Sequence, residues 1–133
     1  MKSAMDYAES MLSKSEFLRT HCNDVNEYRD PEEPMPTLLL ASFGLQMAAH
    51  FEQIPPAEWK ALVRAIEEGV SNKDKDIGEA VATGLLEAMV NYAEATEGLW
   101  PEIEARLGPE ARDYVEAYRK ADYLALALPN VKS

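Results

Sequence analysis

Apolar side chains along this 133-residue chain recur three and four residues apart, the spacing that gathers them on one face of an α-helix. Nowhere do they alternate cleanly in twos as a half-buried strand requires. Residues 4–22 place Tyr7, Met11, Leu18 and Cys22 on one side and Met5, Ala8 and Leu12 on the adjoining one, with Glu9, Lys14, Glu16 and Arg19 outside. The spacing predicts a first helix there. Thr37 is a candidate N-cap for a second helix over Leu38 to Gln53, apolar on nearly every side through Leu39, Leu40, Phe43, Leu45, Met47 and Phe51. Such a helix is expected at the centre of the core.

Pro55 and Pro56 end that segment and open another, because a proline in the first helical turn loses no hydrogen bond. Trp59, Leu62, Val63, Ile66 and Val70 form the stripe of a third helix. A polar turn over 69–76 leads to a fourth, striped by Ile77, Val81, Leu85, Ala88, Met89 and Tyr92, in which Gly78, Ala82 and Gly84 leave room for a close neighbour. Gly98 breaks the pattern, a short helix runs from Trp100 to about Leu107, and Gly108-Pro109 stops it and starts the last one. That pairing predicts a left-handed glycine at 108. The final stripe is Ala111, Tyr114, Val115, Tyr118, Ala121 and Ala125, and residues 126–133 are expected to fray. The fold class expected is all-α: a single-domain compact bundle over 1–133, of about five helices plus one short one.

Between the first two helices, Asn23 to Pro36 carries Asp24, Glu27, Asp30, Glu32 and Glu33 against the single base Arg29, with Pro31, Pro34 and Pro36 interrupting regular hydrogen bonding. It reads as an exposed acidic loop. The whole chain holds 24 Asp plus Glu and 13 Lys plus Arg, a net charge of −11. Stretches 1–20, 21–60, 61–98 and 99–133 carry 0, −5, −5 and −1, so the excess sits in the middle. Such a field repels phosphate backbones and anionic lipid, and argues against nucleic-acid or membrane binding. The lone Cys22 cannot form an internal disulfide, and acids at 6 and 9 interrupt any secretory apolar run, so a reducing, cytoplasmic location is expected.

Candidate chemistry is sparse. His21 and His50 lie far apart in the chain, without the spacing that sets metal ligands on one helical face, and His50 reads as a polar helix edge. Asn72, Asp74 and Asp76 alternate like the start of a calcium loop, but Ile77 and Thr83 occupy the positions that need Gly and a bidentate Glu. Ser42 sits in an apolar helix, Cys22 has only His21 beside it, and the carboxylate pairs Glu67-Glu68 and Glu32-Glu33 require only solvation. Tyr114, Tyr118 and Tyr123, at helical spacing, read as core and rim. No catalytic residue, metal site or cofactor is expected.

The run Ala82-Thr83-Gly84-Leu85-Leu86-Glu87-Ala88 with Asn91, followed by Leu107-Gly108-Pro109, Arg112, Tyr114 and Tyr118, resembles small acidic all-helical bacterial immunity proteins of toxin–immunity systems. The resemblance spans residues 37 to about 123. It implies a non-catalytic protein that neutralises a cognate toxin by covering its active site or locking its conformation, and the acidic charge of the chain makes a basic toxin the expected one. The alternatives are an acidic helical adaptor or regulator of a housekeeping partner, and an enzyme. For a basic protein partner, Asp30, Glu32 and Glu33 are the candidate direct contacts, Asp74 and Asp76 the steering charges and Trp100 the apolar anchor.

Overall fold

The computed structural model describes residues 3–22 and 35–127, which are helical almost throughout and contain no strand. The first predicted helix is two: α1 (Ala4–Lys14) and α2 (Glu16–His21). Ser15 makes the break, its extended backbone ending α1 and its side-chain oxygen capping α2 by accepting from the Leu18 N–H at 3.1 Å. Leu18 and Cys22 still point inward, so the apolar period passes through a cap that spacing alone does not reveal. The buried Ser15 hydroxyl donates to Glu58 Oε2 at 2.6 Å, on α4 (Pro56–Val70). The same oxygen accepts from the Phe17 N–H at 2.8 Å, so a carboxylate from another helix completes the α2 N-terminus.

α3 (Pro36–Ala49) begins two residues before the predicted start, with Met35 as N-cap and Pro36 in the first turn; Thr37 does not cap it. It also ends earlier, and Phe51–Gln53 forms a separate 3₁₀ turn. Leu39, Leu40, Phe43 and Met47 are wholly buried, as the centre of the core requires, whereas Leu38 and Leu45 remain 53% and 41% exposed. An all-round apolar helix is therefore covered on only part of its surface.

α5 (Lys75–Glu79), a π-helical segment (Ala80–Leu86) and α6 (Glu87–Ala95) follow one another without leaving right-handed helical backbone. The wider π turns were not foreseen from periodicity, because the stripe Ile77, Val81, Leu85 and Met89 is buried either way. Thr83 contributes to the irregularity: its hydroxyl donates at 2.7 Å to the Glu79 carbonyl, the acceptor its own N–H would claim in an α-helix. α3 packs chiefly on this rod. A Cβ at Gly84 would stand 2.6 Å from the Thr37 carbonyl oxygen, so the expected close approach is real at 84, while at Gly78 the nearest atom would be an ordinary 3.5 Å away.

After Gly98, whose φ of 80° is left-handed, α7 (Leu99–Glu104) turns back and α8 (Pro109–Ala127) follows. Gly98 is the positive-φ residue among those described, and Gly108 is not, which corrects the left-handed cap expected at 108. Gly108 stands instead at the start of α8, where Glu67 Oε1 and Oε2 accept from the Glu110 and Ala111 N–H groups at 3.0 and 2.8 Å. Glu67 is thus a cap for a distant helix rather than a merely solvated acid. The Trp59 indole donates to the Arg106 carbonyl at 3.1 Å, fixing the α7–α8 turn on α4. α8 is helical to Ala127, past the point where fraying is expected, and 128–133 lie outside the described residues. One apolar cluster, from Ala4 on α1 to Val115 on α8, joins these elements into an all-α bundle.

Candidate functional site

The polar groups of the interior are largely spent on structure. Asp74 Oδ1 accepts from Asp76 N–H at 2.9 Å and from Ile77 N–H at 3.4 Å, and Asn72 Oδ1 from Asp74 N–H at 2.9 Å. The alternating oxygens of this turn therefore form the cap of α5. Tyr114 donates to Glu87 Oε2 at 2.5 Å and Tyr118 to Asn91 Oδ1 at 3.1 Å, tying α8 to α6. Burial first, and then the Glu87 carboxylate, raise the Tyr114 pKa above the ordinary tyrosine value.

His21 and His50 meet in space despite their separation in sequence, their ring centroids 4.5 Å apart, and Phe17 stacks on His21 at 4.3 Å. His50 closes α3 at its C-terminal end, consistent with a polar helix edge. The His21 Nδ1 lies 3.0 Å from the Phe17 carbonyl, and no group of three His, Cys, Asp or Glu side chains gathers as a metal site among the described residues. Cys22 is buried, with the Ser42 hydroxyl 3.8 Å from its sulfur.

Among the concave surfaces of the described residues, two that adjoin along α3 bear on binding. The first is a cleft of about 480 Å³ where the N-terminal ends of α1, α3 and α5 converge, lined by Ser3, Thr37, Asp74, Asp76, Glu79 and Thr83 among others. Asp76 and Glu79 are exposed, Asp74 half-buried, and among the described residues no Lys or Arg lines the cleft. The second is an open groove of about 560 Å³ between α3 and α6, bounded by Leu38, Ala41, Leu45, Gln46, Asn91 and Tyr92. Among the described residues, no charged side chain lines this groove. Thr37 and Leu38, adjacent in sequence, belong one to each, so acidic cleft and apolar groove are neighbours along the same helix.

The structure brings together Asp74 and Asp76 of the residues singled out by sequence, and adds the exposed Glu79. Asp30, Glu32 and Glu33 lie outside the described residues. Trp100 is only 5% exposed, with the Arg119 guanidinium 5.5 Å above its ring, so it is a core residue and not a surface anchor. Its place in sequence at a turn between Gly98 and Pro101 is what suggests exposure; Arg119 of α8 covers it. The exposed apolar residues that sequence reasoning missed are Leu38 and Leu45, whose signal was an apolar helix with no polar face left for water.

The chain matches no family model, no curated protein and no solved structure. No helix among the described residues is long and apolar enough to cross a membrane.

Proposed function

We propose that this chain is a non-catalytic binding protein that neutralises a basic protein by covering it, in the manner of the bacterial immunity proteins that its 37–123 region resembles. The observation that carries this reading is the α3 surface, where a cleft holding Asp74, Asp76 and Glu79 adjoins exposed Leu38 and Leu45, with no Lys or Arg among the described residues lining either part. Carboxylates at such a site attract a cationic partner from a distance, and desolvated apolar contacts hold it once it arrives. The chain's net charge of −11 extends the same attraction over the rest of the molecule.

The partner is thus a basic protein, a cognate toxin on this reading, inhibited by occlusion of its working surface. Capture on the tagged chain from host lysate, followed by mass spectrometry, should return a basic protein with a toxic domain. Co-expression of the chain should then restore growth to cells producing that domain. A captured basic protein that is harmless when produced alone would replace inhibition by an adaptor role, and failure to retain any basic protein would overturn both readings.

A further inference from the structure

We propose that the groove between α3 and α6 receives an amphipathic α-helix of the basic partner, with the partner's apolar stripe on Leu38, Ala41, Leu45 and Tyr92 and its cationic residues toward the Asp74–Asp76–Glu79 cleft. This deepens the binding reading above and rests on it. Leu38 and Leu45 are seven residues apart on one helix, so about 10 Å or two turns separate them, the repeat at which a facing helix offers side chains at i, i+4 and i+7. They are among the three exposed large hydrophobics of the described residues, the third being Met35 at the head of the same helix. Clustering of these on one helix marks a docking face more than it marks ordinary surface scatter.

Charge decides between a second copy of this chain and a foreign helix. Two copies would each bring −11 and would set one acidic cleft beside another, whereas a Lys- or Arg-rich helix meets carboxylates at the end of the groove and, among the described residues, no opposing base along it. Asn91 and Gln46 border the groove as neutral polar groups, suited to the edge of an apolar contact. Asn91 is oriented there by the Tyr118 hydroxyl.

The test uses the full chain and three synthetic 14-residue peptides, followed by fluorescence anisotropy across a salt series. One carries leucines at i, i+3, i+4 and i+7 with lysines elsewhere; the second has glutamates in place of the lysines; the third has the first peptide's composition without the stripe. The striped Leu/Lys peptide should bind at least ten times more tightly than either control. Leu38→Glu with Leu45→Glu, two exposed positions, should weaken that complex at least tenfold although it makes the protein more negative. An association driven by charge alone would tighten instead, and that result would overturn the groove. Asp76→Asn with Glu79→Gln should slow association and flatten its salt dependence while leaving the preference for the stripe. Equal binding of the striped and unstriped peptides overturns the proposal, as does a dimer in sedimentation that the Leu38→Glu, Leu45→Glu variant dissociates. Peptide failure alongside successful capture of a basic protein would reject the groove and leave the broader binding reading standing.

Discussion

The α-carbon of Gly44 lies so close to Leu85 that a Cβ at residue 44 would stand 2.0 Å from the Leu85 carbonyl oxygen. The obstacle is backbone, in the π-helical part of the central rod, and backbone cannot rotate aside as a side-chain tip does. Gly44→Ala should therefore destabilise by about 3 kcal/mol, the upper end of ordinary overpacking costs. Gly78→Ala is the control: its nearest new contact would be an ordinary 3.5 Å, so helix propensity should dominate and leave stability unchanged or raised by about 0.5–1 kcal/mol. Urea melts of both variants check the pair, and equal effects would show that the α3–rod contact yields.

Along α3 the same kind of residue should count very differently according to its face. Phe43 is completely buried, and Phe43→Ala should cost about 3–5 kcal/mol through lost burial and the cavity left behind. Leu45→Ala, two residues on and 41% exposed, should fall within about 1 kcal/mol of the parent. Chemical denaturation separates the two outcomes, and a large Leu45 effect would mean that this face is covered in solution.

The contrast marks how far the sequence could be read. Helix existence followed from the apolar period because burial of Tyr7, Phe43, Ile66 and Val115 depends on that period and on little else. Which side of α3 stays open did not follow, since an all-apolar helix carries no polar face to mark it. Caps across space were equally hidden: Glu58 lies 41 residues from the Phe17 N–H it accepts, and Glu67 lies 44 from Ala111. A carboxylate on an outer helical position looks the same in sequence whether it meets water or another helix's N-terminus. Of the candidate site, the pairing of Asp74 with Asp76 was legible because both lie in one turn. Trp100 misled because an aromatic beside glycine and proline reads as a turn tip until α8 is seen to cover it.

Alkaline pH should weaken the fold through Tyr7. Its hydroxyl donates to the Ala65 carbonyl within the core, and burial, with a smaller contribution from the Glu68 charge, raises its pKa well above the ordinary tyrosine value. The folded state then keeps a proton that the unfolded state releases above pH about 10, so stability is fully present below that pH and falls as pH rises beyond it. Tyr114 acts in the same direction. Tyr7→Phe should cost about 1 kcal/mol at neutral pH for the lost hydrogen bond and show a shallower decline between about pH 10 and 11.5. Parallel slopes for variant and parent would remove Tyr7 from the account.

Gly108 and Glu67 should behave as one unit. A Cβ at 108 would lie 2.2 Å from Glu67 Cδ, and that carboxylate is what accepts from the first N–H groups of α8, where glycine itself offers no capping side chain. Glu67→Ala should cost about 1–2 kcal/mol, as loss of an N-cap does, and Glu67→Gln less, because one acceptor oxygen remains. Gly108→Ala in the parent should cost a similar amount by pushing the carboxylate off the helix end. In the Glu67→Ala background the obstruction and the cap are both already gone, so Gly108→Ala should cost little or even stabilise by restricting the unfolded chain. The double-mutant cycle should accordingly give a coupling of about 1 kcal/mol or more between residues 67 and 108. Additive effects in urea denaturation would mean that Glu67 can keep its cap around a side chain at 108, and that the glycine is there for another reason.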